Sequence, residues 1–255
     1  MRVNYHTHTT RCNHAKGTEA EYVENALAAG IEVLGFSDHS PYLFDGDYYS
    51  WFRMRPEELP EYVATIKKLQ EVYKGRIELP IGVEVEYYPA LFSRLLPFLK
   101  DHGVEYLLLG QHYQKNEIGT QYSGLPTDDP QVLKDYCRQV RDGMQLGIFT
   151  YLAHPDLINF TGDPALYKTE MRGICQEAKS CGMLLEYNLL GLRAGREYPV
   201  PVFWEMAAEE GCTAVFGVDA HDPQSLNDMQ TEQQAREFLK TLGIALEETP
   251  NLVKI

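Results

Sequence analysis

Residues 3–17 read VNYHTHTTRCNHAKG, and this stretch distinguishes between two α/β architectures. It begins with a short β-rich run, Val3 to His6, and continues into a polar turn. A nucleotide-binding open sheet is expected to have a glycine-rich first turn, GxGxxG or GxxxxGK[ST], at this point. The turn contains neither motif. It therefore favours a closed barrel of parallel strands over an open, doubly wound sheet.

The strand-then-helix order repeats along the chain without a Pro/Gly/Ser-rich linker, which predicts one α/β domain, residues 1–255, with a parallel sheet. Two connections, Ser40 to Arg55 and Gln114 to Asp129, are long enough to indicate functional loops. The predicted strands are Val3 to His6, Val33 to His39, Ile77 to Tyr87, Tyr106 to Tyr113, Tyr151 to Asp156, Leu184 to Asn188 and Ala214 to His221. The predicted helices are Thr18 to Ala29, Pro56 to Tyr73, Ala90 to His102, Pro130 to Leu146, Pro164 to Cys181, Pro201 to Glu210 and Gln224 to Leu242.

The composition excludes several classes of partner. The chain has 23 Lys and Arg against 37 Asp and Glu, a net charge of −14, which disfavours binding to nucleic acid or to an anionic membrane. A small anionic substrate stays compatible if a local positive charge overrides this field. No apolar run approaches about 18 residues, and the five cysteines form no CxxC pair. With a polar amino terminus, MRVNYHTHTT, a cytoplasmic protein is expected, as a monomer or a homodimer.

Six of the eight histidines fall at predicted strand ends, and carboxylates accompany them. The carboxyl ends of parallel barrel strands converge on one face, where barrel enzymes have their active sites. In the HxH of His6 and His8, both imidazoles point to the same side of the strand, because side chains alternate with period two. Glu84 lies inside an apolar strand, where a carboxylate is costly to bury unless it is paired or bound to metal. The nine candidate ligands are His6, His8, His14, His39, Glu84, His112, His154, Asp219 and His221.

Each motif taken alone is also compatible with a structural role, since a single buried histidine is usually a satisfied core residue. The joint pattern favours a site for more than one metal ion. Nine ligands are too many for one ion and enough for two or three. Imidazole and carboxylate without thiolate suit Zn²⁺, Mn²⁺ or Fe²⁺. Cys12 is expected to be a bystander, and His102, on a predicted helix, is left out of the set.

The order of these motifs resembles the polymerase and histidinol phosphatase (PHP) superfamily across nearly the whole chain. The motifs are HxH, His14, the Asp38–His39 pair, Glu84, His112, His154 and the DxH of Asp219 and His221. The DHSP of residues 38–41, the GLR of residues 191–193, Tyr198 and Pro199 resemble its histidinol-phosphate phosphatase branch.

The resemblance implies a distorted (β/α)7 TIM-like barrel with three divalent ions. The first ion would be bound by His6, His8, Glu84 and Asp219. The second would share Glu84 and take His112 and His154. The third would take His14, His39 and His221.

The resemblance also implies an activity, the hydrolysis of L-histidinol phosphate in histidine biosynthesis. Arg193 is expected to clamp the phosphate, with Arg196, Arg53 or Arg55 as substitutes. Relatives often have a basic residue shortly after the fifth-strand histidine, where this chain has Asp156.

Other roles in this reaction are less defined. Asp219 is the first candidate for the acid that protonates the leaving group, and Asp38 is the second. Tyr42, Tyr48, Tyr49 and Trp51 would form either a substrate wall or a packed lid edge. The alternatives are a phosphoesterase acting on another small phosphate ester or nucleotide, and a metal-binding domain without turnover.

Overall fold

The computed structural model of the protein describes residues 1–255. Nine strands and eight α-helices alternate along most of the chain. The strands are β1 Val3–Asn4, β2 Val33–Leu34, β3 Phe36–His39, β4 Ile81–Val85, β5 Tyr106–Leu109, β6 Phe149–Leu152, β7 Leu185–Asn188, β8 Thr213–Gly217 and β9 Ala245–Leu246. The helices are α1 Glu19–Ala28, α2 Leu59–Val72, α3 Pro89–Asp101, α4 Pro130–Met144, α5 Pro164–Cys181, α6 Leu189–Ala194, α7 Pro201–Glu209 and α8 Met229–Leu242.

The sheet is parallel throughout, and strands β3 to β9 are neighbours in chain order. Strand β1 pairs with β2, and the residues that follow β1 close the barrel by bonding to Ser37 on β3 and to Ala220, which follows β8. Ser37 donates its backbone N–H to Thr7 O over 2.8 Å, and His8 donates its own to Ala220 O over 2.9 Å. The expected parallel α/β barrel is confirmed.

The interior of the barrel is filled at its amino-terminal end by three tyrosines, Tyr5, Tyr106 and Tyr151. Tyr106 and Leu108 point into this cluster, while Leu107 and Leu109 pack against the helices, as the period-two alternation of a strand requires. Because this apolar cluster fills the amino-terminal half of the interior, polar side chains occupy the carboxyl-terminal half.

The helices begin and end at the positions where their local chemistry predicts. Thr18 caps α1 in a capping box with Glu21, and Asp163 caps α5 with Pro164 in its first turn. Gly182 ends α5 in the left-handed conformation, at φ 70°. The short helix α6, capped by Asn188, was not predicted. None of the eight helices combines the length and the apolar composition that crossing a bilayer demands.

The predicted strands are longer than the observed ones, mainly at their carboxyl ends. The predicted strand Val33 to His39 is divided at Gly35, where an added Cβ would overlap the ring hydroxyl of Tyr106. Strand β6 ends at Leu152, so His154 lies beyond the ladder and donates its N–H to Glu186 Oε2 over 3.0 Å. The backbone at these strand ends therefore bonds to polar side chains instead of to a neighbouring strand.

Candidate metal centre

All nine predicted ligands meet at the carboxyl-terminal end of the barrel. Glu84 lies at their centre, 2.6 Å from His154 Nε2 through Oε1 and 3.0 Å from His39 Nδ1 through Oε2. His8 Nε2 lies 3.1 Å from Asp219 Oδ1. The side chains of Glu84 and Asp219 are 1% and 6% exposed, which is low enough to require compensation of their charges.

Six groups of donor atoms have the spacing that a metal ion needs, with all atoms of a group within 4.8 Å of one another, and three of these groups bear on the expected ligand sets. One group is His6, His8 and Asp219, and another is His14, His39 and His221. The first of these groups is part of the expected first ligand set, and the second has the same members as the expected third set. The third group joins His6, Glu84 and His154. His112 Nε2 lies 3.6 Å from Glu84 Oε1, on the side of the expected second ion.

The donor atoms themselves fit divalent ions, because many are buried without a hydrogen-bond partner. Buried polar atoms are almost always paired with another group, with water or with an ion. Unpaired nitrogen and oxygen atoms converge here in a space a few ångströms wide. They are His6 Nε2, both ring nitrogens of His8, His39 Nδ1, Glu84 Oε2, His154 Nδ1, Asp219 Oδ1 and His221 Nε2.

Two of these residues have an unusual backbone conformation. His154 has φ 28° and Asp219 has φ 50°, in the region that non-glycine residues rarely adopt. Such conformations persist where the surrounding structure imposes them, and they concentrate at functional sites. Beyond the ends of their strands, the side chain of His154 contacts Glu84 and that of Asp219 contacts His8.

Four of the histidines are oriented through the ring nitrogen that faces away from the cluster. His6 Nδ1 lies 2.7 Å from Glu186 Oε1, and His112 Nδ1 lies 2.8 Å from Glu86 Oε1. His14 and His221 bond instead to backbone carbonyls, those of Cys12 and Asp219. Because carboxylates and carbonyls only accept, the ring nitrogens donate, which leaves each Nε2 available to a metal ion.

Glu186 was not predicted as part of the site, although its signal resembles that of Glu84. It is a fully buried carboxylate inside an apolar strand, LLEYN, residues 184–188. Its Oε2 also accepts from Asn188 Nδ2 over 2.9 Å, and Asn188 donates to Asp219 Oδ2 over 3.1 Å. Glu186 therefore links three predicted ligands, His6, His154 and Asp219.

Two glycines make room for these carboxylates. A Cβ at Gly110 would overlap Glu84 Oε1, and one at Gly217 would overlap Glu186 Oε1. Neither glycine has a positive φ. Glycine is therefore needed at these two positions for the space that it leaves beside the carboxylates and not for its backbone freedom.

The electrostatics of the cluster favour ionised carboxylates. Burial would raise the pKa of Glu84, but His112, His6 and His154 hold it well below its ordinary value. Burial lowers the pKa of His14 to about 4, with His221 and His8 contributing. Burial also opposes protonation of His8, but Asp219 and Asp38 raise its pKa to about 9.

The cluster opens into a cavity of about 280 Å³ with aromatic walls. Arg196 is the one arginine that lines it, and no lysine does. Trp51 is the one member of the predicted Tyr42, Tyr48, Tyr49 and Trp51 wall that lines the cavity. The other aromatic walls, which were not predicted, are Phe52, Tyr113, Tyr122 and Tyr198.

Arg193 lies in a separate cleft that it shares with His14 and His221. One of its guanidinium nitrogens, Nη1, is buried without a hydrogen bond, 3.8 Å from Asp228 Oδ2. The two arginines therefore approach the cluster from different openings.

A PHP domain model matches residues 4–189 of the chain. The chain belongs to the PHP domain family. This match covers seven of the nine predicted ligands, and the DxH of Asp219 and His221 lies beyond it.

Relatives of this PHP protein include histidinol-phosphatases. A probable histidinol-phosphatase from Deinococcus radiodurans is 31% identical over 86% of this chain and 85% of its own length. The histidinol-phosphatase of Bacillus subtilis is 25% identical over 85% and 92%. A histidinol phosphate phosphatase from Lactococcus lactis, solved with zinc, L-histidinol and phosphate, has the same fold. Its TM-score is 0.73 at 20% identity, over 98% of this chain and 97% of that one.

Other predicted residues of this PHP chain lie outside the cavity. Asp38 is fully buried behind His8, where Oδ2 accepts the N–H of Thr9 over 3.2 Å, so its placement does not support a role as leaving-group acid. Arg53 is buried in ion pairs, and Arg55 lies over the ring of Tyr49, so neither lines the cavity. His102 bonds to Phe98 O at the end of α3, consistent with its omission.

Asp156 occupies the region where a basic residue was expected and has a different use. It is buried and accepts from the Nε1–H of Trp204 over 3.2 Å and from the N–H of Val200 over 2.5 Å. It anchors the segment that carries Arg196 and Tyr198. A positive charge that replaces the missing basic residue therefore has to come from another part of the site.

Proposed function

We propose that this PHP protein hydrolyses L-histidinol phosphate to L-histidinol and phosphate, with divalent ions bound at the nine-residue cluster. The observation that carries this proposal is the set of buried, unpaired imidazole and carboxylate atoms that meet at the floor of a cavity containing Arg196. The histidinol-phosphatase relatives and the Lactococcus lactis structure support the choice of substrate.

Three ions are proposed, with the ligand sets expected from the sequence, and Zn²⁺, Mn²⁺ and Fe²⁺ all suit these donors. Such ions, when bound, supply an activated water and positive charge for the phosphoryl oxygens. Glu84 has its two oxygens directed at different ligand sets. Oε1 lies 2.6 Å from His154 Nε2 of the second set, and Oε2 lies 3.6 Å from Nε2 of both His6 and His8 of the first set. This arrangement supports a bridging role for Glu84.

Arg196 is proposed to donate hydrogen bonds to the phosphate. Its Nη1 donates to the hydroxyl of Tyr198 over 2.8 Å, which orients the guanidinium beside the cavity. A planar guanidinium can bind two phosphate oxygens at once. Arg193, whose Nη1 lacks a partner, would contribute from the neighbouring cleft.

Burial would raise the pKa of Asp219, but His6, His221 and His8 hold it well below its ordinary value, so this carboxylate is ionised at neutral pH. Asp219 is therefore proposed to take up the proton that the attacking water loses and to deliver that proton to the leaving oxygen. Its Oδ2 accepts from Asn188, whereas its buried Oδ1 has no hydrogen-bond partner. The residue lines the cavity, unlike Asp38. An acid must reach the leaving oxygen directly, so this placement favours Asp219.

The aromatic walls are proposed to hold the imidazole end of the substrate. Phe52 stacks on Tyr113 with ring centroids 5.8 Å apart, and Trp51 is 71% exposed near the cavity mouth. A flat ring can be accommodated between such side chains, and the walls exclude water from the phosphate. A metal-storage protein would need neither these walls nor Arg196.

Phosphate release from a panel of phosphomonoesters by metal-reconstituted protein tests the proposal. We expect L-histidinol phosphate to give the highest kcat/KM of the panel. Turnover of histidinol phosphate no better than that of p-nitrophenyl phosphate would disprove the substrate assignment and retain the phosphatase. An absence of phosphate release from every ester would favour the non-catalytic alternative.

A further inference from the structure

A buried cluster of charges lies beside the proposed centre, outside the set of metal ligands. Arg53 is 1% exposed, yet its guanidinium has no contact with the cavity. It forms ion pairs with two buried carboxylates, Glu86 and Glu117. Burying three charged groups is costly unless their geometry satisfies each of them, so such a cluster calls for a specific explanation.

Every nitrogen of the Arg53 guanidinium is used. Nη1 donates to Ser40 O over 2.7 Å, and Nε donates to Ser50 Oγ over 3.1 Å. Nη2 donates to Glu86 Oε1 over 3.0 Å and also to Glu117. The guanidinium lies over the ring of Phe52, 4.5 Å from its centroid. A lysine could reproduce the charge of this side chain but not this fork of donors.

Glu86 joins Arg53 to the metal centre. The same oxygen that accepts from Arg53, Oε1, accepts from His112 Nδ1 over 2.8 Å. Glu86 thereby determines which nitrogen of His112 carries the proton, and Nε2 is left facing Glu84 at 3.6 Å.

Glu117 joins Arg53 to the cavity walls. The first connection, residues 40–55, carries Trp51 and Phe52, and the second connection, residues 110–129, carries Tyr113 and Tyr122. Glu117 belongs to the second connection and accepts from Ser50 and from Tyr48, 3.2 Å away, on the first. Arg53 and Glu117 therefore hold the two connections together.

We infer that Arg53 is a positioning residue that couples the orientation of His112 to the placement of the aromatic walls. The Arg53 guanidinium contacts Glu86, which is the partner of His112. It also contacts Glu117, which joins the two connections that carry the aromatic walls. Binding of a metal ion at Glu84 and His112 fixes Glu86 and Arg53, and through Glu117 it orders the walls. The inference requires metal binding but does not depend on the identity of the substrate.

Zinc affinity and hydrogen exchange test this coupling without any substrate. In Arg53→Lys we expect zinc affinity, measured by chelator competition, to fall about tenfold, because Glu86, the outer partner of His112, loses the guanidinium that holds it. Zinc is expected to slow amide exchange in residues 40–55 and 110–129 of the unsubstituted protein but not of Arg53→Lys. In Glu117→Gln zinc affinity should stay within about twofold, because Glu86 and His112 are intact, while the protection of both connections is lost.

Arg94→Lys is the matched control. Arg94 also bonds to the first connection, to Asp45 Oδ1 over 2.8 Å and to Leu43 O over 2.9 Å, but on the exposed surface. Arg94→Lys should change neither the zinc affinity nor the zinc-dependent protection of the two connections. A lower melting temperature in Arg53→Lys, with unchanged zinc affinity and zinc-dependent protection, would show a merely structural role and overturn the inference. If Arg53→Lys does not fold, equal zinc affinities in Glu86→Gln and Glu117→Gln would overturn it as well.

Discussion

His6 Nδ1 donates to Glu186 Oε1 over 2.7 Å, and both side chains are fully buried. The two residues are 180 positions apart in the chain, and His6 follows strand β1 whereas Glu186 lies within strand β7. Glu186 fixes the ring of His6 so that Nε2, which has no hydrogen-bond partner, faces Glu84 and Asp219. It is thus an outer partner of a proposed metal ligand.

Replacing Glu186 by Gln is expected to weaken zinc binding about ten- to hundredfold, the usual effect of losing such a partner. The neutral amide polarises His6 less, and its NH2 group cannot accept from His154 N–H or Asn188. Chelator competition measures the change. Glu205→Gln, an exposed position on α7, is the control and should bind zinc normally. Equal affinities in the two variants would contradict the assigned role of Glu186.

Replacing Glu84 by Ala is expected to remove at least two ions, because this carboxylate is central to two of the proposed ligand sets. Metal-to-protein ratios from mass spectrometry measure the loss. EDTA should lower the melting temperature of the unsubstituted protein, since a bound ion stabilises the folded state, and should lower that of Glu84→Ala far less. Glu78→Ala, an exposed glutamate shortly before the same strand, should keep its metal. Undiminished metal content and activity in Glu84→Ala would disprove the ligand assignment.

Replacing Gly110 by Ala is expected to lower the free energy of unfolding by about 1–3 kcal/mol, the usual cost of overpacking. The new Cβ would lie 2.7 Å from Glu84 Cδ, so the carboxylate must move and metal binding should weaken. Gly46→Ala is the control, because Gly46 has φ 75° and open space around it. Its strain of about 1–2 kcal/mol should leave the metal content unchanged. Urea unfolding and metal analysis distinguish Gly110→Ala from Gly46→Ala. Normal metal content in Gly110→Ala would refute the steric argument.

Replacing Arg196 by Ala is expected to lower kcat/KM for histidinol phosphate about ten- to hundredfold, because a charged hydrogen bond contributes roughly 1.5–3 kcal/mol. The metal content should not change. Arg193→Ala should have a smaller effect, since Arg193 lies in the neighbouring cleft. Arg172→Ala, which removes surface pairs with Glu209 and Glu210, is the control. A large loss in Arg193→Ala with none in Arg196→Ala would place the phosphate in the cleft instead of the cavity.

The nine candidate ligands could be named from the sequence because each one has a local signal. A histidine or a carboxylate at the end of an apolar run is recognisable without knowledge of its partners, and a parallel barrel brings all strand ends together. The strand boundaries were less predictable. His154 and Asp219 lie beyond their strands with positive φ values, and this depends on partners that are distant in the chain, such as Glu186.

The roles of the arginines and of the aromatic residues were decided by tertiary structure. Arg53 was expected as a substitute phosphate ligand, yet packing of the two connections buries it against Glu86 and Glu117. Trp51 lines the cavity, whereas Tyr42, one of its predicted companions, is fully buried and bonds to Glu86 O. Loop residues have no periodic pattern that indicates which way a side chain faces, so their exposure follows only from the contacts between loops.

The sequence by itself determined the parallel barrel, the face on which the site lies and the nine candidate ligands, since these depend on alternation along single strands and on residue chemistry. Only the tertiary structure decided which residues orient those ligands, which arginine enters the cavity and which aromatic side chains form its walls. These choices depend on pairs such as His6 and Glu186, which are far apart in sequence and come into contact only when the barrel closes.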